Sequence, residues 1–319
     1  MATFLGAMTG YLDIAMHDAL FAGRTTAQDW ARIVAFRDSP RFLDGARRHE
    51  GVMQPFFAHN LILNRVVTEV WRFQILVLTL YLHTTRDPLN PRAGLTVANL
   101  QKICVALNLA SPGRVYAFLN IMKLGGYLSA MRSPLDSRVV HLDPTALFEV
   151  IVEEWNDNIF ASIDAAVPGS GLTALRARHP ELGRQMRISG AEGLLAGWDP
   201  LGPFPEVFHF ASTDGGWLML EHLVLQSIRG ETSIRIEPVT LNMRATAKRF
   251  GGSRSNLIRV LEGGYAAGLL DAPSRGGSHI VVSSRMTCAF LAFMASFLGY
   301  FQQHTRIALA RIMEAAPQG

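Results

Sequence analysis

The sequence predicts a mainly α-helical protein with small β wings, made of two similar units about an internal pseudo-two-fold. Three observations predict it. A stretch in the first half reappears 142 residues later with matching apolar positions. Positive charge is concentrated in two short windows at equivalent places. The chain, 319 residues and 49% hydrophobic, is long and apolar enough for two domains with buried cores.

The repeat comes first because it organises everything else. SPGRVYAFLNIMKLGGYL, from Ser111 to Leu128, matches SRSNLIRVLEGGYAAGLL, from Ser253 to Leu270. Val115 falls on Leu257, Phe118 on Val260, Leu119 on Leu261 and Leu128 on Leu270. At the same offset Val139-Val140 falls on Val281-Val282, Thr145 on Thr287 and Phe148 on Phe290. Upstream, Ile75 to Leu82 falls more loosely on Trp217 to Val224. The economical reading is a duplication of one unit.

The elements of the first unit follow from local chemistry. Asn60 to Leu82 places apolar residues at three- and four-residue spacing and reads as a long helix, ended by Arg86-Asp87-Pro88. Thr96 is an N-cap for Val97 to Leu107, whose Leu100, Ile103, Cys104 and Leu107 share a face. Ser111 followed by Pro112 is a strong helix start, because proline lacks an N–H where none is needed. That helix stops at Gly125-Gly126. Tyr127 to Met131 and Val139 to Leu142 read as a hairpin around a Ser/Pro/Asp tip, and Thr145 opens a further helix toward Trp155. The second unit reads likewise: helices over Trp217 to Ile228, Val239 to Phe250 and Ser253 to Ala266, then strands Leu269 to Ala272 and His279 to Ser283 around a tip over 273–278, and a last helix from Arg285.

Helix, helix, turn, helix, hairpin, helix is the winged helix-turn-helix order. The chain therefore divides into an N-terminal helical segment (1–60), a first winged-helix domain (61–155), a helical linker or association segment (156–212), and a second winged-helix domain with a C-terminal helix (213–319).

The first unit resembles the MarR group of winged-helix transcription regulators. The resemblance lies in LTVANLQKICVALNLASPGRVYAFLNIMKLGGYL, in Asp136-Ser137-Arg138 at the wing, and in HLDPTA after it. The second, with ATAKRFGGSRSNLIRVLEGGYAAGLL, looks like a general bacterial helix-turn-helix, and its wing lacks the Asp-x-Arg. Members of that group are usually one-domain homodimers. The resemblance implies double-stranded DNA as partner, a small-molecule effector as a further candidate, and either a monomeric pseudo-dimer or a homodimer here.

Charge agrees with a polyanion partner. Residues 90–145 carry six Lys/Arg against two Asp, a net of +4, and residues 240–285 carry seven against Glu262 and Asp271, a net of +5. Solvated helix faces are the plainer account of the same charges. The candidate DNA-contacting residues of the first unit are Ser111, Arg114 and Asn120, with Arg132 and Arg138 at its wing. Those of the second are Ser253, Arg254, Ser255, Asn256 and Arg259, with Arg275 at its wing. Arginine and asparagine make bidentate contacts to guanine and adenine edges, and serine at a helix start suits a phosphate. Arg138 has two readings, a groove contact or a structural partner of Asp136.

Other chemistries lack their signatures. G-x-S-x-G, G-x-x-x-x-G-K-[ST] and H-E-x-x-H do not occur, and no G-x-G-x-x-G follows a strand, so neither enzyme nor cofactor is expected. The ten histidines have no metal-ligand spacing, and none is expected to bind metal. Cys104 and Cys288 read as core thiols of a protein in a reducing cytoplasm. The longest uncharged apolar run, Met286 to Phe301, is short for a membrane span and reads as a buried or partner-facing helix. The N-terminus has no basic region ahead of an apolar stretch, so no signal peptide is expected. Aromatics outside the winged units, among them Phe56, Phe57, Trp155 and Trp198, read as an inter-domain core or the lining of an effector pocket.

Overall fold

The computed structural model describes residues 12–59, 70–230, 234–250, 252–271 and 279–315. The expected helix over 60–69, the second wing tip and its Arg275 lie outside the described residues.

The N-terminal part holds α1 (Ile14–Ala22), α2 (Ala27–Arg37) and α3 (Phe42–His59). Then come α4 (Val70–Thr84), α5 (Val97–Ala106), α6 (Pro112–Leu124), the hairpin β1 (Leu128–Arg132) and β2 (Val140–Pro144), and α7 (Ala146–Ala166). The second half opens with α8 (Leu172–Arg178), α9 (Leu182–Leu195), α10 (Pro205–Ala211) and α11 (Gly216–Ser227). The short strands β3 (Ile228–Arg229), β4 (Arg235–Ile236) and β5 (Val239–Thr240) precede α12 (Met243–Phe250) and α13 (Arg254–Ala266). Strands β6 (Leu270–Asp271) and β7 (His279–Val282) lead into α14 (Ser284–Ala315). The protein is mainly helical with small sheets of two and three strands.

The caps form as local chemistry dictates. Thr96 Oγ1 accepts from Asn99 N at 3.1 Å, Ser111 Oγ from Arg114 N at 3.4 Å, and Ser253 Oγ from Asn256 N at 3.1 Å. Pro112 occupies the first turn of α6, where its missing N–H costs nothing. Val115, Phe118, Leu119 and Met122 of α6 and Leu257, Val260 and Leu261 of α13 face the core.

Two expectations need correction. The helix expected over Val239 to Phe250 starts only at Met243. Val239 and Thr240 pair antiparallel with Ile280 and His279, giving the sheet order β5-β7-β6. Asn242 then caps α12, its Oδ1 accepting from Ala245 N at 3.1 Å. Two β-branched residues before an Asx cap favour a strand that stops, not an early helix start. The second correction concerns register. Leu128 pairs with Pro144, whereas Leu270 pairs with Val282. Thr145 N donates to Tyr127 O, and Ser283 N donates to Leu269 O. Thr145 thus corresponds to Ser283, not Thr287. The offset is 142 through α6 and α13 but 138 after the paired strands, because four fewer residues separate Leu270 from Val282 than Leu128 from Pro144. An apolar match four residues out on a helix lands on nearly the same face, which is why the constant offset looks continuous in sequence.

The helices outside the hairpin regions pack reciprocally. α3 lies along α7 and crosses α11; α9 lies along α14 and crosses α4. Likewise α2 rests on α14 and α8 on α7, and α7 and α14 touch each other. α3 and α9 open alike: Phe42 N donates to Ser39 O past Pro40, and Leu182 N to His179 O past Pro180. Gly45 lets α3 reach α7, since a Cβ there would stand 2.4 Å from that of Ala166. α14 is the described helix whose length and composition suit a membrane span, yet its most apolar stretch is 67% buried inside the protein. α7 continues past Trp155 to Ala166, and one apolar cluster runs through both halves.

Candidate nucleic-acid interface

In the second half, α12 and α13 present a polar and basic surface. Ser253, Arg254, Ser255 and Arg259 are exposed on α13, and Arg244 and Lys248 on α12. Among the described residues Arg244, Lys248 and Arg254 make no ion pair. The face is built by periodicity: Leu257, Val260, Leu261 and Gly264 turn inward, so the residues between them turn out. Ser253 Oγ lies 3.2 Å from Ser255 Oγ at the start of α13, where the first N–H groups of the helix lack intrahelical partners. Arg259 Nη2 donates to Asn256 Oδ1 at 2.6 Å. Through Oδ1, Asn256 orients the guanidinium of Arg259.

The equivalent face of α6 differs. Ser111 and Arg114 are exposed and Asn120 is half-buried, but Tyr116, Ile121 and Leu124 stand among them at 53%, 45% and 88% exposure. The Arg114 guanidinium lies over the Trp71 ring, 5.9 Å from its centroid, which draws it toward α4. Arg132 is exposed on β1 and makes no ion pair among the described residues. Arg138 meets both oxygens of Asp136, Nε to Oδ1 at 3.0 Å and Nη2 to Oδ2 at 3.1 Å. Hydrogen bonds from Arg138 hold the Asp136 carboxyl below its usual range. Arg138 is thus a structural partner of Asp136, and its side chain is still 83% exposed at the wing.

Sequence reasoning missed a buried polar group where α3 crosses α11. His49 Nδ1 lies 2.6 Å from Glu221 Oε1, and His222 Nδ1 lies 2.7 Å from Glu50 Oε1. Gln54 Nε2 also donates to Glu50 Oε1, at 2.8 Å, and Arg249 of α12 donates to Gln54 Oε1. Burial pushes the Glu221 carboxyl up, while His49 pulls it the other way. The adjacent pairs His49-Glu50 and Glu221-His222 are the only sequence sign of this group, and only folding brings them together. Among the described residues no set of three or more His, Cys, Asp or Glu is arranged to hold a metal ion. Cys104 is buried, its thiol pushed up to about 11 by desolvation, and Cys288 to about 12, so both are poor nucleophiles.

A cavity of about 100 Å³ lies where α3, α4, α7, α9 and α14 meet. Phe56, Phe57, Trp155 and Trp198 all line it. Comparison of the chain with protein-family models, with curated proteins and with solved structures finds no match.

Proposed function

We propose that the protein is a DNA-binding transcription regulator in which two winged-helix units of one chain act as a pseudo-dimer. The observation that carries this reading is the exposed face of α13 and α12. Two serines, Arg254 and the Asn256-oriented guanidinium of Arg259 stand at the start of one helix, beside Arg244 and Lys248, which make no ion pair among the described residues. That combination offers base-edge donors and phosphate donors together. The reciprocal packing of α3 and α9, each on the first helix of the opposite unit, supports the duplicated arrangement. It suits a chain that supplies both halves of a dimer by itself.

The exposed Tyr116, Ile121 and Leu124 favour a second reading for α6, as a surface that meets protein and not a base edge. Under the main reading the DNA site is asymmetric, and the half under α13 carries most of the sequence preference.

The test is duplex binding by the full chain across a salt series, followed by selection from random duplexes. Affinity falling steeply with salt, and two unequal half-sites about one turn (roughly 34–36 Å) apart, are expected. A salt-independent affinity, or no enrichment of any duplex, refutes the reading and leaves the interaction protein as the alternative.

A further inference from the structure

The aromatic cavity is walled by rings held in fixed orientations. Trp198 stacks on Tyr300 with centroids 3.5 Å apart and planes 10° from parallel. Trp155 meets Phe301 edge-on at 5.1 Å and Phe73 at 5.7 Å. Rings braced in this way cannot collapse into the space, so the void forfeits dispersion contacts that a packed core would make.

Three long polar side chains, those of Gln74, Arg187 and Tyr300, stand at its edge. The Tyr300 hydroxyl donates to Gly190 O at 2.6 Å. Arg187 lines the cavity and donates through Nη1 to Glu153 at 2.9 Å. Among the described residues almost no polar atom faces the space. An ion entering from water gives up its hydration for this apolar lining, whereas an apolar ring loses nothing.

The two helix crossings differ at this point. Glu50 stands ten residues after Pro40 on α3, and Gly190 ten residues after Pro180 on α9. By the same count His49 corresponds to Ser189. Where α3 crosses α11, His49, Glu50, Glu221 and His222 fill the space with hydrogen-bonded side chains. Where α9 crosses α4, a glycine replaces the glutamate, and the cavity opens. Pairing the crossings in this way rests on the duplicated arrangement proposed above; the cavity itself does not.

We propose that this cavity is a binding site for a small uncharged molecule with a single aromatic ring. Its size and dryness are of the kind that admits benzene in an engineered protein void of about 150 Å³. The half of the protein with Gly190 is the one that binds, and the half with Glu50 is closed by its own side chains.

Titration calorimetry and thermal melting of the full chain, without DNA, test this with toluene as probe and benzoate as its charged counterpart. Toluene is expected to bind one per chain and to raise the melting temperature, with benzoate at least tenfold weaker. A Cβ at Gly190 meets only Tyr300 Cε1, at 3.6 Å, so Gly190→Ala is expected to fold and keep binding. Gly190→Leu and Val77→Phe fill the space and are expected to weaken toluene at least tenfold with unchanged helix content; if the first does not fold, the second decides. No toluene binding near its aqueous saturation, equal binding of benzoate, or undiminished binding in the folded filled variants overturns the proposal. Because the readout needs no DNA, such a failure is separate from a failure of the duplex-binding test.

Discussion

Glu221 of α11 and His49 of α3 share a 2.6 Å hydrogen bond with both side chains buried, 172 residues apart in sequence. The pair fastens a helix of the first half onto a helix of the second. The Phe297 ring meets the His49 ring edge-on at 5.8 Å, so the contact is packed as well as polar.

His49→Ala should therefore be costly, about 3–5 kcal/mol, because it strands a buried carboxyl. His49→Phe combined with Glu221→Leu should recover most of that loss, since both partners are then apolar and the packing is kept. Urea unfolding of the three proteins reads both effects. A loss under about 1 kcal/mol for His49→Ala would mean the pair contributes nothing to the crossing.

Stability should depend on His304. Burial holds its pKa down to about 4, with Nδ1 2.7 Å from Ser189 Oγ. The folded value lies below the unfolded one, near 6.5. The group's contribution is therefore fully present above about pH 6.5 and drains away as pH falls toward 4, up to roughly 3 kcal/mol. His304→Gln should flatten that part of the stability curve. Melting curves at pH 4.5, 5.5 and 7 for both proteins check it; parallel curves exclude His304 as the cause.

Glu206 should anchor the start of α14. Its side chain is 1% exposed and meets Arg24 at 2.9 Å and Arg285 at 2.7 Å. Burial opposes its ionisation, but the two guanidinium groups outweigh burial and hold the carboxyl below its usual range. Glu206→Gln keeps the shape and removes the charge, and should cost about 2–3 kcal/mol. Both arginines remain partly solvated, so a larger loss is not expected. Denaturant midpoints measure it, and an unchanged midpoint would show the two arginines to be dispensable.

On DNA, Arg254→Ala and Arg259→Ala should each cost about 1–3 kcal/mol and relax sequence preference. Asn256→Ala should act through Arg259, so the double variant should lose little more than Arg259→Ala alone. Lys248→Ala should weaken all duplexes alike and lower the salt slope by about one. Arg114→Ala, its guanidinium over Trp71, should change preference less than Arg254→Ala. Competition binding against matched and mismatched duplexes distinguishes these. Equal effects on every duplex for Arg254 and Arg259 would make them phosphate contacts only.

The sequence alone determined several helix starts and the polar character of the α13 face. Ser111-Pro112, Thr96 and Ser253 fix helix starts through hydrogen bonds spanning three residues, and the apolar spacing fixes which side of α6 and α13 turns inward. Such interactions are short in sequence, so they are legible there. The engagement of Asn256 by Arg259 is equally local, yet it depends on rotamers that no residue pattern specifies. The four-residue slip after the wing was hidden because it nearly preserves a helical face. Only the tertiary structure decided how the halves meet: His49 against Glu221, Glu50 against His222, and the cavity beside Gly190. Each depends on two helices crossing at a place set by the packing of the whole core. A buried histidine and a surface histidine are spelled with the same letter, and only the fold removes the water from one of them.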